Sequence, residues 1–492
     1  MNQLPFTSIN TGTCTLVEGR MVTKALLEEC IKGLGKNGVT SIFPCVIFQY
    51  KKGINDKPGT PNYDLKRLAL ESTSKRIYPN YANCDWSAQK KTIEADRTSK
   101  QQYLDNLDEK DYNKLIYILE NNPEVEETLG IYSQDDRIFV DPNERPIEMF
   151  STMGCRTANG LDINAIDNFK QNIQATLEER FDDIDDVFSG AQKDGRGNIC
   201  PVTVILPTLA LIAKQKVDNS DLTNEEYKEA VFNEFIKLLD KKIGEAKDML
   251  IERFNHICSQ SYKSARYMYE NKTMTGYHKE EGIISALKHG TLAIGQLGLA
   301  EALQIMFYTD HTTEEGMKYA KIIESLFAKN CAGFKEKYKL NFGVYYTPAE
   351  NLCKTAIKNF KRLNPDFDQE YVTYLKDAEG NRIDKKYFTN SIHVPVWETL
   401  DVFKKIDIES ELVNYSSAGC ITYVELDSTC FNNIDAIEKI VDYAMEKDVP
   451  YFALNIPLNR CSKCNEPIYD ESLDHCPKCG NDKIIKLGRI TG

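Results

Sequence analysis

Four cysteines near the end of the chain carry its most specific chemistry. Cys461 and Cys464 form CSKC, and eleven residues later Cys476 and Cys479 form CPKCG. Two CxxC knuckles at this spacing can bring four thiolates onto one ion. Soft sulfur donors suit Zn²⁺, and a closed four-sulfur shell leaves no position for substrate, so the expected role is structural. An iron–sulfur site or a redox pair are the other chemistries open to the same residues. His475 adjoins Cys476, but the four sulfurs already fill a tetrahedron. The intervening loop carries Glu466, Asp470, Glu471 and Asp474, a poor surface for nucleic acid. Thirteen residues beyond Cys479 stands Gly492, in GRITG.

Other residues of chemical interest are scattered. Cys155 and Met153 lie in MGCRT, and Asn198 in GRGNICPV. Ser8 and Asn10 lie in FTSIN, and Asn390, Ser391 and His393 in TNSIHVP. By type alone, Cys155 reads equally well as a buried thiol, Met153 as a core gap-filler and His393 as a satisfied core histidine. Composition narrows the field. Lys and Arg number 61 against 74 Asp and Glu, a net charge of −13. That balance argues against sequence-independent binding to nucleic acid or to an anionic membrane. No apolar run reaches the length of a membrane span, and MNQLPFTSIN lacks a secretory pattern, so the expected location is cytoplasmic. Fifteen cysteines in such a setting are reduced core residues, metal ligands or catalytic thiols.

The elements that must position these residues read as α/β. Apolar runs SIFPCVIFQY (41–50), VTVILP (202–207), ITYVEL (421–426) and YFALNI (451–456) suit buried strands, the last two separated by the helical DAIEKIVDYAMEK. Thr223 and Glu226 form a capping box that opens a long helix, expected to run to about Glu270, and Thr312/Thr313 cap another. Ile173, Leu177, Phe181 and Ile184 share one helical face over 168–188. Residues 86–150 turn polar around a single helix-like piece, YNKLIYIL, and read as an insertion or surface subdomain. The expected division is 1–85 and 151–456 as the main body, 86–150 as the insertion, and 457–492 as the cysteine site and terminal loop.

Taken together, LPFTSINTGT (4–13), GLGKNG (33–38), KPGTPNYD (57–64), SKRIYP (74–79), MGCRT (153–157), HGTLAIGQLGLAE (289–301), YYTPAEN (345–351), TNSIHVPV (389–396), SSAGCITYVEL (416–426) and the cysteine array with Arg489 and Gly492 resemble the anaerobic (class III) ribonucleoside-triphosphate reductases, a glycyl radical enzyme family. The resemblance implies a ten-stranded α/β barrel, partial in this chain, with two loops meeting at its centre and a zinc-ribbon-like site beside one of them. It places a stable radical on Gly492, installed by an S-adenosylmethionine/4Fe-4S activase. A glycine suits that role because a Cα radical flattens and shares its electron with both flanking amides, and no side chain hinders it. Cys155 matches the thiyl position that takes the ribose 3′ hydrogen, and Met153 the methionine beside it. Asn198 falls where the family has an asparagine near the ribose hydroxyls, although Gly197 departs from the usual Arg-Asn-Asn run. Ser8, Asn10, Asn390, Ser391 and His393 are the expected lining of the substrate region, with backbone amides holding the phosphates.

The resemblance also implies a homodimer, ribonucleoside triphosphates as substrates, and formate or a thiol system as reductant. The family pattern has more chain in front, including barrel strands and often an ATP-binding domain, and a short tail behind the glycine. The sequence therefore reads as the larger piece of a split or truncated enzyme, completed by N-terminal and C-terminal fragments. The competing readings are an inactive zinc-binding remnant that assembles with another chain, and another glycyl radical enzyme such as an acyl-lyase or diol dehydratase.

Overall fold

A computed structural model of the chain describes residues 7–36, 38–141, 152–153, 157–158, 162–181, 197–218, 222–271, 274, 277–346, 349–468 and 473–486. Eight strands organise its body: β1 (Ser8–Thr11), β2 (Cys45–Tyr50), β3 (Asn80–Asn83), β4 (Asn198–Ile205), β5 (Thr291–Leu297), β6 (Asn341–Val344), β7 (Thr422–Glu425) and β8 (Tyr451–Asn455). They form a five-stranded sheet in the order β1-β2-β3-β8-β7 and a three-stranded sheet in the order β6-β5-β4. Every pairing is parallel except β3 with β8. An isolated parallel bridge, Tyr345 to Gly419, connects the end of β6 to the run entering β7.

Side-chain alternation assigns the faces. On β5, Leu292 and Ile294 join the large core under the helices, whereas Ala293 clusters with Tyr345 and Ala418 on the opposite, inner face. Gly295 shares the face of Ala293, and Gly343 is the registered partner of Ala293 on β6, so small residues line this face. In the larger sheet, Phe48, Tyr81, Val424 and Phe452 pack outward with the helices Tyr63–Arg76 and Ile434–Glu446. Cys45, Ile47, Ala82, Tyr423, Tyr451 and Ala453 face inward.

The polar stretch after Trp86 is more helical than its sequence announces. It holds helices Ser87–Asp105, Glu109–Asn121 and Pro123–Leu129 and a hairpin, Ile131–Gln134 with Arg137–Val140. Leu104, Leu115, Leu119 and Ile131 build a separate core, closed by Phe169, Ile173 and Leu177 of the helix Ala165–Leu177. That helix ends at Leu177, so Phe181 does not share its face and is 41% exposed, and Ile184 lies outside the described residues. The capping box at Thr223 and Glu226 opens the helix Asn224–Cys258, which stops well before Glu270. A turn and a single short helix, Arg266–Glu270, follow it.

Candidate functional site

The cysteine array folds as a small unit. Strands Asn459–Cys461, Pro467–Ile468 and Ile484–Ile485 form a three-stranded sheet beneath it. The four Sγ atoms lie within 4.8 Å of one another. Cys461 to Cys479 and Cys464 to Cys476 are each 3.6 Å apart, and all four cysteines are free thiols. A tetrahedron of sulfurs about 2.3 Å from a central ion has edges of roughly 3.8 Å, so the donor set fits one ion of zinc's size. The backbone N–H of Cys464 and that of Lys463 both donate to Cys461 Sγ and hold its thiol below the ordinary value, while the neighbouring sulfurs push that of Cys464 up. The bias toward thiolate at Cys461 prepares that sulfur for a cation.

Around MGCRT, the structure places a short antiparallel ladder, Thr152–Met153 with Thr157–Ala158. Cys155 itself and Gly492 lie outside the described residues, and for Met153 only the backbone position is given. Ala158 packs into the inward cluster with Cys45, Ile421 and Tyr423. Its N–H donates to the carbonyl of Ala418, at 3.2 Å. Asn198, at the start of β4, donates from Nδ2 to the same carbonyl at 3.2 Å. Its Oδ1 is buried without a partner among the described residues. Asn198 and Ala158, 40 positions apart in the sequence, are thus brought to one carbonyl oxygen.

A second network holds the chain as it leaves the hairpin region. Asp162 is buried and bonded to His289 Nδ1, and it accepts from Asn341 Nδ2 at 2.9 Å and from Asn164 N at 2.9 Å. Burial works to raise the Asp162 carboxyl, but the His289 ring and these donors outweigh it and hold the group below its ordinary value. His289 and Asn341 stand at the entries to β5 and β6, so the network joins the chain after the hairpin to the N-terminal ends of the three-stranded sheet.

The other expected residues fall at two more places. Ser8 and Asn10 are registered with Cys45 and Ile47, so they share the inward face, at the far edge of the larger sheet. Asn390, Ser391 and His393 lie on a buried loop at the C-terminal end of β5, where Gly298 N donates to Thr389 O and Glu301 accepts from Thr389 N and Oγ1, both at 2.8 Å. Asn390 Oδ1 accepts from Ala349 N at 3.4 Å, at the start of the helix Glu350–Leu363. Ser391 has φ 53° and a buried Oγ without a partner among the described residues. His393 Nδ1 is 3.3 Å from both carboxylate oxygens of Glu409, and its ring lies 5.9 Å from that of Tyr423. Burial acts to raise the Glu409 carboxyl, but His393 holds it below its ordinary value. Asn198 and this loop therefore stand at opposite ends of the small sheet. Six residue steps along β5, at about 3.3 Å each, put them up to about 20 Å apart.

Sequence reasoning missed Ala418, Asp162 and Glu409. Ala418 acts through a backbone atom, and only its place in SSAGC offered a signal; Asp162 and Glu409 are single acids whose side-chain partners His289, Asn341 and His393 are more than a dozen residues away.

The family model for anaerobic ribonucleoside-triphosphate reductase matches residues 2–492. The anaerobic ribonucleoside-triphosphate reductase of Haemophilus influenzae is 26% identical over 494 residues, and that of Escherichia coli 27% over 495. Each comparison covers 99% of this chain and 54% of the relative, so the chain spans about half the length of these curated relatives. The anaerobic ribonucleotide reductase of Thermotoga maritima, solved with MES in its active site, superposes with a TM-score of 0.56 at 14% identity. That superposition covers 100% of this chain and 63% of the other, and it shows a shared fold. With the match extending from the second residue to the last, the chain belongs to the anaerobic ribonucleoside-triphosphate reductase family.

Proposed function

We propose that this chain carries the radical-bearing part of an enzyme that reduces ribonucleoside triphosphates to 2′-deoxyribonucleoside triphosphates in the absence of oxygen. The observation that carries the proposal is the Ala418 carbonyl, on which the N–H of Ala158 and the amide of Asn198 converge. We assign the reacting thiol to Cys155, three positions before Ala158 in the sequence, and the ribose-hydroxyl acceptor to Asn198 Oδ1, which is buried without a partner among the described residues. Gly492 stores the radical after installation by a separate S-adenosylmethionine-dependent activase. The radical passes to Cys155, whose sulfur takes the hydrogen from C3′ of the ribose. Water leaves from C2′, Met153 stands beside the later reduction step, formate or a thiol system supplies the electrons, and the sulfur returns hydrogen to C3′. S–H and ribose C–H bonds are of similar strength, so the exchange works by positioning, without a deep energetic sink.

The two ends of the small sheet support an elongated ligand. Asn198 at one end suits the sugar. Asn390, Ser391 and His393 at the other, beside the first turn of the helix Glu350–Leu363, suit the triphosphate, since amides at loop and helix ends hold anions without a basic surface. Ser8 and Asn10 complete the lining from the opposite edge. Between the ends, Ala293 and Gly343 take the turn at Ala418 closely against them, which brings its carbonyl to the inner face. The Thermotoga maritima relative has been solved in complex with dATP and CTP, at a TM-score of 0.52. The bridge from Tyr345 to Gly419 favours reading the two sheets as parts of one ten-stranded barrel, with 86–150 as a subdomain attached to it. Zinc is the ion best suited to Cys461, Cys464, Cys476 and Cys479; bound there, it supplies no chemistry beyond fixing the segment that leads to Gly492. We place the assembled enzyme in the cytoplasm, as a homodimer completed by further chain.

The test is anaerobic activation followed by electron paramagnetic resonance and nucleotide assay. The expected result is a glycine-centred signal that Gly492→Ala abolishes, and a Cys155→Ser protein that keeps the signal but reduces no nucleotide. Turnover by Cys155→Ser refutes the assignment.

A further inference from the structure

We infer that the turn Ser416–Gly419 is a positioning element that sets the strand Thr157–Ala158 and Asn198 against each other, and that Gly343 is the residue that lets it close. The inference rests on the functional reading above. Ala418 O receives both donors, Ala158 N and Asn198 Nδ2, each at 3.2 Å. A carbonyl can only accept, so it commits the Asn198 amide to one orientation, Nδ2 on the turn, and leaves Oδ1 buried and unpartnered among the described residues. The site then offers an acceptor, and the group it takes is a hydroxyl that donates, as the ribose of a ribonucleotide does. A sugar lacking that hydroxyl leaves Oδ1 unpaired in a buried place, which is a basis for discrimination.

The turn is fixed to β6 from both sides. Ala418 N and Ser416 Oγ donate to Val344 O, at 2.9 and 3.0 Å, while Val344 N donates to Ser417 Oγ at 3.2 Å. Gly419 N closes on Ser416 Oγ at 3.2 Å, with φ 123°. Such closeness depends on Gly343. A Cβ there would lie 2.9 Å from Ala418 Cβ, 3.0 Å from Ser417 Oγ and 3.3 Å from Thr291 Cγ2. Ala418 Cβ cannot rotate away, so an alanine at 343 must push the turn outward, and the shared carbonyl with it.

Gly343→Ala and the double variant Gly343→Ala/Ala418→Gly, which removes the obstructing methyl and keeps the carbonyl, test this together. In the activated enzyme, Gly343→Ala should lower kcat by about tenfold to a hundredfold, the range expected for a misplacement near 1 Å. KM should change little and the glycyl radical yield should hold. The double variant should recover most of the rate. On the same samples, amide exchange at Ala158 should accelerate in Gly343→Ala and slow again in the double variant. Unchanged kcat and Ala158 exchange in Gly343→Ala overturn the inference, as does a loss that the second substitution does not reverse. A wild-type protein that reduces no nucleotide instead refutes the functional reading, and Ala158 exchange still reports whether the turn moved.

Discussion

Glu324 offers a quantitative test of the packing behind the small sheet. It lies on the helix Glu314–Tyr338, fully buried, with Gln296 Nε2 of β5 donating to its Oε1 at 2.8 Å. Burial raises its carboxyl from 4.5 to about 8, and the bonds with Tyr346 and Gln296 offset this only in part. The folded protein therefore keeps a proton at neutral pH that the unfolded chain has lost. Because the folded state binds more protons between those two values, stability falls as pH rises through the window. At pH 7 the penalty is roughly 3 kcal/mol, from about 1.4 kcal/mol for each unit above the unfolded value. Glu324→Gln keeps an acceptor for Gln296 and removes the ionisable proton. Urea unfolding of both proteins across the window should show near-equal stability at its acid end, with the variant gaining toward the full penalty at neutral pH. A difference that stays constant with pH, or a variant less stable at pH 7, would show that Glu324 is ionised in the fold and refute the reasoning.

Two further outcomes follow from the site. Cys464→Ser should cut bound zinc, measured by elemental analysis, from about one ion per chain to a small fraction, because three sulfurs no longer close the tetrahedron. Amide exchange should then accelerate across 459–486 while β5 keeps its protection. Asp162→Asn should cost about 1–3 kcal/mol near neutral pH by stripping His289 and Asn341 of a charged acceptor. The Asp162 carboxyl is held below its ordinary value, so its contribution is present above that value and is lost as pH falls through the folded one. The gap between wild type and variant should therefore close in acid, as read by urea midpoints.

Much of the scaffold is legible in the residues. SIFPCVIFQY, ITYVEL and YFALNI contain the strands expected of them, because a strand in a covered sheet needs a continuous apolar run, whereas VTVILP catches only the end of its strand, Asn198–Ile205, and its Leu206 and Pro207 open the helix Leu206–Lys216. The Thr223 cap is read directly, since both halves of the box lie within one turn. The helix Ser87–Asp105 is hidden for the opposite reason. Its buried side includes Gln89 and Lys100 beside Ile93 and Leu104, with Lys100 paired to Asp96, so its apolar pattern is too sparse to announce a helix.

The four cysteine ligands show what sequence alone determines here. Each CxxC pair and the short loop between them lie within nineteen residues, so a local sequence pattern brings the two knuckles face to face, with Cys461 to Cys479 and Cys464 to Cys476 at 3.6 Å. Asn198 and the strand Thr157–Ala158 show what only the tertiary structure decided. Both meet Ala418, which is 220 positions from Asn198, through a main-chain oxygen that every residue possesses. No residue type marks such an atom. Its role exists only because the turn packs onto β6, where Gly343 leaves space for it.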